Sequence, residues 1–401
     1  MTTAALPFRP EQLEACLVPP GRTLPAEAYT SDEVFAWETE RYFQGSWYCL
    51  GRSSELARPG DRRAVRIGSE GVLLVRGSDG ALRGFFNTCR HRGHELVACG
   101  GPVGNDRFIR CPYHSWTYAL DGTFKTAPNF TDRPDWQRRD PDNNLVPARV
   151  EEWGGWAFVD CSGDAPPLAE HVGNLDEAFD AYEPERLIPA ATHEYVIQAN
   201  WKLIAENYHE CYHCSTIHPE LCQVTPTDSG VAFEPTGLVM GGSMDLMDHA
   251  VTMSLTGESH GVPFRRLDAE QRRKVLYLHL FPNILLSPHP DYVMTHRLEP
   301  LDHGRTRIEC QWLFPPEAMD LDGFDPTYAV EFWDITNRQD WAACEGVQRG
   351  AAGRGYRQGP LSDPEGNVWQ LIALVAQGYL EGRARGPVPA LPTAEPATEA
   401  G

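Results

Sequence analysis

Long hydrophobic runs are absent from this 401-residue sequence. No apolar stretch reaches the roughly 18 residues that a membrane-spanning helix requires, so we expect no membrane span and no membrane partner. The N-terminus also lacks the basic and apolar pattern of a cleavable signal peptide. The eleven cysteines are an odd number that cannot all pair within one chain. Together these features predict a protein of the reducing cytoplasm.

Basic residues are scarce. The chain has 35 Lys and Arg against 56 Asp and Glu, which gives a formal net charge of −21. Such a balance argues against a nucleic-acid partner, because nucleic-acid binding draws most of its affinity from Lys and Arg. No repeat of 20 to 50 residues is visible in the sequence. The length suggests two or three domains at roughly 150 residues each, which is large enough for an enzyme.

The predicted secondary structure changes along the chain. Residues 1–45 predict an extended arm followed by a short helix. Residues 46–165 break into short β-rich runs separated by turn dipeptides such as Asp79-Gly80 and Asp121-Gly122, and these predict an all-β domain. Residues 166–385 mix helical and strand patterns. Residues 386–401 are Pro, Ala, Thr and Glu without any period, which predicts a disordered tail.

The first candidate metal site lies in the β-rich region. Two short segments, separated by nineteen residues, each offer one cysteine and one histidine. The four ligands would be Cys89, His91, Cys111 and His114. A Rieske [2Fe–2S] centre needs two Cys on one iron and two His on the other, whereas Cys2His2 zinc sites usually pair Cys with Cys and His with His. His94 and Cys99 fit neither half, so we treat them as structural.

A second candidate metal site follows further along. Residues 199–214 have helical spacing, and we expect His213 and His218 near the C-terminal end of that helix. A carboxylate on a second predicted helix, 328–348, would complete a two-His, one-carboxylate set that holds Fe(II), and Asp340 is the best candidate.

Two alternatives stay open on spacing alone. His209 and His213 are four residues apart, a spacing that also chelates metal on a helix. Asp334 competes with Asp340, although it fits a solvated helix face better.

Both motifs resemble those of one family. Cys89-Arg90-His91-Arg92-Gly93 and Cys111-Pro112-Tyr113-His114-Ser115-Trp116 are similar to the Rieske signature of the ring-hydroxylating oxygenase large subunits, the Rieske non-haem iron oxygenases. Ser115 stands where many members carry Gly. The run from Glu210-Cys211-Tyr212-His213-Cys214 to His218-Pro219-Glu220 is similar to their mononuclear-iron motif, and Asp340 then takes the third ligand position.

This resemblance implies an α+β fold. Residues 46–165 would form an all-β Rieske domain, and residues 166–385, together with 1–45, a catalytic domain whose antiparallel sheet wraps a long helix in a START-like helix-grip. It implies an O2-dependent oxidoreductase with a [2Fe–2S] cluster and a mononuclear non-haem Fe(II). The chain carries neither a Gly-rich dinucleotide fingerprint nor plant-type ferredoxin cysteine spacing, so a separate NAD(P)H-dependent, ferredoxin-type reductase would supply electrons.

The resemblance also implies an assembly and a substrate class. In relatives, the acid at Glu210 bridges a Rieske His of one subunit to an iron-binding His of the next in a homotrimer. The motif is similar to the branch that oxidises glycine betaine, proline betaine and carnitine, which predicts N-methyl hydroxylation and release of formaldehyde from a small-molecule substrate. Oxidation of an aromatic or natural-product substrate is the alternative, and a zinc-stabilised START-like binding protein is a remote one.

A quaternary cation needs aromatic faces around it. The candidate pocket residues are Tyr277, Phe281, Tyr292 and Phe332, although each of them fits core packing as well.

Overall fold

The computed structural model describes residues 6–130 and 140–391 of the chain. It divides into two compact units. One unit runs from Ala36 to Leu168, and the other joins the residues up to Phe35 with those from Ala169 onward. In the described ranges no helix is both long and apolar enough to span a bilayer.

The described residues of the Ala36–Leu168 unit form ten strands, which pair antiparallel. They are β1 Tyr48–Arg52, β2 Asp61–Ile67, β3 Glu70–Arg76, β4 Leu82–Phe86, β5 Gly104–Asn105, β6 Ile109–Arg110, β7 Thr117–Tyr118, β8 Phe124–Thr126, β9 Pro147–Trp153 and β10 Trp156–Asp160. Seven form one sheet in the order β1-β10-β9-β4-β3-β2-β5, and β6-β7-β8 form a second. Both predicted turn dipeptides are confirmed, since Gly80 and Gly122 take the left-handed conformation that closes each hairpin.

The other unit holds a seven-stranded antiparallel sheet in the order β11-β17-β16-β15-β14-β13-β12. Its strands are β11 Ile188–Ile197, β12 Val231–Ala232, β13 Val239–Asp245, β14 Lys274–Leu280, β15 Ile284–Pro288, β16 Val293–Asp302 and β17 Arg305–Phe314. Strand β15 is buried at every position, so it lies in the centre of the core.

Helices complete the fold. They are α1 Pro10–Leu17, α2 Glu27–Thr30, α3 Asp32–Glu38, α4 Leu168–Val172, α5 Leu175–Phe179, α6 Trp201–Tyr208, α7 Cys214–Ile217, α8 Leu221–Val224, α9 Pro316–Met319, α10 Thr327–Ala351 and α11 Gly366–Glu381. Helix α6 packs against α10, α11 and strand β16. The mixed composition, with one all-β unit and one unit that combines an antiparallel sheet with long helices, confirms the α+β prediction.

The long helix predicted over 328–348 is confirmed as α10. The helix predicted over 199–214 is shorter: α6 begins after Asn200, whose side chain accepts a hydrogen bond from the Lys202 amide, and it ends at Tyr208. At the start of the predicted tail the structure shows contacts instead, since Val388 is buried and the Pro389 carbonyl accepts a hydrogen bond from Gln370. The remainder of that tail, 392–401, lies outside the described residues.

Candidate metal centres

The first centre lies between two loops of the β unit. One loop follows β4 and the other joins β6 to β7. The sulfur-bearing residues Cys89 and Cys111 are buried members of one hydrophobic core, and neither is in a disulfide. The rings of His91 and His114 approach to 4.8 Å between centroids. The structure therefore brings the two halves of the sequence motif together.

Each loop is folded by its own backbone. The Cys89 amide donates to the His94 carbonyl, and the Cys111 amide donates to the Trp116 carbonyl at 2.8 Å. Ser115 adopts φ +60°, the left-handed region in which a side chain is disfavoured. Glycine suits this position because it adopts that conformation freely, whereas Ser115 adopts it with a small local backbone strain.

The donor set fits a Rieske cluster. The Nδ1 atoms of His91 and His114 are buried and have no hydrogen-bond partner among the described residues. A buried ring nitrogen without a partner is costly, and a metal bond removes that cost. Burial also lowers the pKa of His91, which keeps this imidazole neutral and able to bind metal. Two free thiols and two free imidazole nitrogens are the four ligands that such a cluster requires.

Tyr118 orders the thiol side of this centre. Its hydroxyl accepts a hydrogen bond from the Arg90 amide at 3.1 Å and lies 3.3 Å from the Cys89 sulfur. A metal-bound Cys89 sulfur is a thiolate that can only accept, so the Tyr118 hydroxyl would direct its proton at that sulfur. Trp116 stacks on His91 at 5.0 Å with parallel rings.

The second centre lies between α10 and the segment around α7. The Nε2 atoms of His213 and His218 are 3.1 Å apart. The Asp340 carboxylate lies 2.9 Å from His218 Nε2 and 3.4 Å from His213 Nε2. Ligand atoms about 2.1 Å from a metal and at right angles lie about 3 Å from one another, so this triangle has the size of a facial metal site.

Both histidines of the triangle have their tautomer fixed. His213 Nδ1 donates to the Glu210 carboxylate, and His218 Nδ1 donates to Gln339 Oε1 at 2.7 Å. When both rings are neutral, each Nε2 is therefore the nitrogen that carries the lone pair and can bind a cation. Burial lowers the pKa of His213, but hydrogen bonds to Asp340 and Glu210 outweigh it and raise the pKa to about 9, as expected where negative charge attracts a cation.

The local backbone differs from the sequence-based expectation. His213 precedes the single turn of α7 and His218 follows it, so neither lies on a long helix. The break has a physical cause: Glu210 accepts a hydrogen bond from the His213 amide, which gives the chain an alternative to continuing α6.

The alternative ligands are engaged elsewhere. His209 Nε2 lies 3.1 Å from His279 Nδ1, away from the triangle. Asp334 pairs with Arg338 and accepts the Tyr195 hydroxyl. His94 Nδ1 contacts the Glu95 carbonyl, and the Cys99 thiol contacts the Val65 carbonyl.

Cys214 also lies close to the triangle, 3.9 Å from His213 Nε2. Its sulfur is bonded to that of Cys211, so the structure contains a Cys211–Cys214 disulfide that the sequence analysis did not predict. The pairing leaves the metal position to nitrogen and oxygen ligands.

A cavity of about 580 Å³ opens beside this second centre. Tyr208, Tyr277 and Trp333 contribute aromatic faces to its lining. Of the four pocket candidates from the sequence, only Tyr277 lines the cavity. Phe281, Tyr292 and Phe332 are instead fully buried in the core.

Two family models match the chain. Residues 46–137 match the Rieske [2Fe-2S] domain, and residues 184–380 match the ring-hydroxylating alpha subunit catalytic domain. The glycine betaine monooxygenase oxygenase subunit of Chromohalobacter salexigens is 30% identical over 372 residues, which cover 85% of this chain and 82% of that protein. The chain belongs to the Rieske non-haem iron oxygenases. It is therefore an O2-dependent oxidoreductase that uses a [2Fe–2S] cluster, a non-haem iron and electrons from an external reductase.

Other proteins are similar to this Rieske oxygenase in sequence or in fold. The carnitine monooxygenase oxygenase subunit of Escherichia coli K12 is 40% identical over 200 residues, about half of each chain. The crystal structure of the quaternary ammonium Rieske monooxygenase CntA with L-carnitine superposes with a TM-score of 0.75 at 26% identity, covering 93% of this chain and 99% of that one. Naphthalene 1,2-dioxygenase from Rhodococcus shares the fold at 22% identity, with a TM-score of 0.76 over 92% of this chain and 97% of that one.

Proposed function

We propose that this Rieske oxygenase hydroxylates an N-methyl group of a quaternary ammonium substrate. The observation that carries the proposal is the aromatic corner beside the second metal centre. The ring centroids of Tyr208 and Tyr277 are 5.8 Å apart, and those of Tyr277 and Trp333 are 6.4 Å apart. Aromatic faces attract a cation that has no hydrogen-bond donor of its own.

The corner is held rigidly. The Tyr208 hydroxyl donates to the Leu286 carbonyl at 2.9 Å, and Trp333 Nε1 donates to the Tyr292 hydroxyl at 2.9 Å. Because these polar tips are occupied outside the cavity, the ring faces remain available to a ligand. Pre-ordered rings lose little entropy on binding.

We assign Cys89, His91, Cys111 and His114 to the cluster. We assign His213, His218 and Asp340 to the iron. When bound, the two centres supply electron transfer and O2 activation. The chain's own residues do the rest: Gln339 and Glu210 hold the imidazoles, and the aromatic corner holds the ammonium group with a methyl towards the triangle.

The overall reaction balances with one O2, two electrons and two protons. One oxygen atom enters a C–H bond of the N-methyl group and the other leaves as water. The N-hydroxymethyl product then loses formaldehyde and a proton, and its C–N bond electrons remain on nitrogen as a tertiary amine.

Electrons would cross between chains. We propose a homotrimer in which Glu210 links His213 to a Rieske histidine of a neighbouring subunit, with a ferredoxin-type reductase as electron donor. The half of this link within one chain, from Glu210 to His213, supports the proposal.

The test is a substrate panel with purified protein, a compatible reductase and NADH. We expect formaldehyde and demethylated amine in equal amounts from N-methylated quaternary amines, and Tyr277→Ala should raise KM at least tenfold. Phe332→Leu, a core change outside the cavity, is the control. Hydroxylated products from aromatic substrates, without formaldehyde from any amine, would favour the aromatic alternative. Colourless protein that holds zinc would exclude an oxygenase.

A further inference from the structure

The cavity beside the second centre is charged with one sign only. Its described lining contains no lysine or arginine. It does contain the carboxylates of Glu210, Asp228, Asp340 and Asp363. Once His213 is a neutral metal ligand, a substrate that carries a carboxylate meets no cationic side chain among these lining residues.

A bound iron does not reverse this sign. A divalent ion offsets two carboxylates, those of Asp340 and Glu210 at the triangle. Asp228 and Asp363 remain, and both are exposed parts of the lining. They favour the approach of a cation and oppose that of an anionic group.

His209 belongs to the same lining and has one ring nitrogen without a partner among the described residues. The residue is 5% exposed, and the unpartnered nitrogen is Nδ1. This unpartnered atom is independent of the carboxylates.

The hydrogen-bond chain fixes what that atom does. His279 Nε2 donates to the Pro282 carbonyl, because a carbonyl oxygen only accepts. Burial lowers the pKa of His279 to about 4 and that of His209 well below its ordinary value, so both rings are neutral. His279 Nδ1 must then accept from His209 Nε2. His209 Nδ1 is left as a lone pair that accepts a proton donor and repels a carboxylate.

We propose that the substrate is a quaternary ammonium ion that carries a hydroxyl group and no carboxylate. The inference rests on the proposed function and narrows it. The ammonium group lies against the aromatic corner, and a hydroxyl donates to the His209 lone pair. Relatives of this chain are named for glycine betaine and carnitine, both of which are carboxylates, so this cavity selects a different member of the same chemical class.

The test uses two matched pairs of compounds. Choline and glycine betaine differ only in a terminal CH2OH or carboxylate, as do (4-hydroxybutyl)trimethylammonium and γ-butyrobetaine. For each compound, the Kd of the iron-loaded protein is measured by calorimetry, and formaldehyde is measured under turnover. We expect the Kd of each alcohol to be at least about tenfold lower than that of its carboxylate partner. Carboxylates that bind as tightly as the alcohols, or more tightly, would overturn the inference.

Binding and turnover separate the two proposals. If the alcohols bind preferentially but no compound yields formaldehyde, the proposed N-methyl hydroxylation fails and the selectivity stands. If carboxylates bind better and yield formaldehyde, the proposed function stands and the inference fails.

Charge variants test the cause. Asp228→Asn combined with Asp363→Asn should reduce the preference for alcohol over carboxylate about tenfold. Asp320→Asn combined with Asp322→Asn, at two exposed acids outside the cavity, changes the net charge by the same amount without changing the lining and should leave the preference unaltered. An equal effect of both changes would mean that net charge, and not the cavity, sets the preference.

Discussion

A single hydroxyl is expected to tune the cluster. The Tyr118 proton is directed at Cys89, and a hydrogen bond to a cluster sulfur stabilises the more negative, reduced state. Tyr118→Phe should lower the reduction potential by about 40 mV, the equivalent of roughly 1 kcal/mol in a one-electron couple. Protein-film voltammetry measures the potential, and Tyr113→Phe, at an exposed residue on the loop before β7, is the control. An unchanged potential would contradict the assigned bond.

A second residue-scale prediction concerns Gln339. It accepts from His218 Nδ1 and donates to Glu220 at 3.0 Å, so it holds the ring in the geometry of the triangle. Gln339→Ala should weaken iron binding about 10- to 100-fold, with turnover restored by excess Fe(II). Iron titration of the stripped protein measures this. Gln377→Ala, on an exposed face, should bind iron like the wild type.

At the residue scale, the sequence predicts which residues can bind metal better than it predicts which other residues pack around them. Cys and His residues at fixed spacing indicate their ligand roles before any fold is known. Gln339, Tyr208 and Trp333 carry no such signal, because an amide or an aromatic ring becomes a site residue only when tertiary packing brings it to the cavity. Tyr292 and Phe332 show the converse, since aromatic identity alone does not separate cavity from core.

At the scale of elements, helix α6 is tied to α2. The Tyr29 hydroxyl donates to Glu206 at 2.9 Å, and burial raises the pKa of Glu206 from its ordinary 4.5 to about 7. The folded protein therefore holds a proton that the unfolded chain has released between these two pH values. The contribution of the Glu206 carboxyl to the free energy of unfolding is therefore fully present below pH 4.5 and is lost as pH rises through 7.

Glu206→Gln should remove that loss. At pH 8 the variant should be more stable than the wild type by roughly 1–3 kcal/mol, and at pH 5 the difference should be much smaller. Denaturant unfolding at both pH values tests this, with the exposed Glu381→Gln as control. A difference that does not depend on pH would show that the carboxyl is not shifted.

The predicted elements differ in how well pattern alone defines them. Residues 328–348 carry a sustained apolar period and form α10 nearly as expected. The 199–214 pattern continues past Tyr208, but Glu210 takes up the His213 amide and the helix stops there. Local side-chain capping of this kind competes with periodicity and is visible only in the folded chain.

At the scale of the whole molecule, the account requires electrons to reach the iron through Glu210. Glu210→Gln should retain both metals yet slow product formation at least tenfold, because the amide oxygen can accept from His213 but the amide NH2 cannot also accept from a histidine of the neighbouring subunit. Metal analysis and the formaldehyde rate measure the two effects, with Glu234→Gln as a surface control. Full turnover by the variant would refute the bridge.

Mixed assemblies test the route between chains. A chain with His91→Ala and a chain with Asp340→Ala should each be inactive alone. Co-expressed, they should recover part of the activity if electrons cross from one subunit to the next. If the mixed assembly is intact by sedimentation but no more active than either parent variant, both centres of a working unit lie in one chain.

The most direct test of the central claim is a single turnover of pre-reduced protein without reductase. Mixed rapidly with O2 and an N-methylated quaternary amine, the protein should yield formaldehyde and demethylated amine in equal amounts, up to one per iron, as the reduced Rieske spectrum disappears. Reoxidation of the cluster without either product, across quaternary amines with and without a carboxylate, would contradict the account.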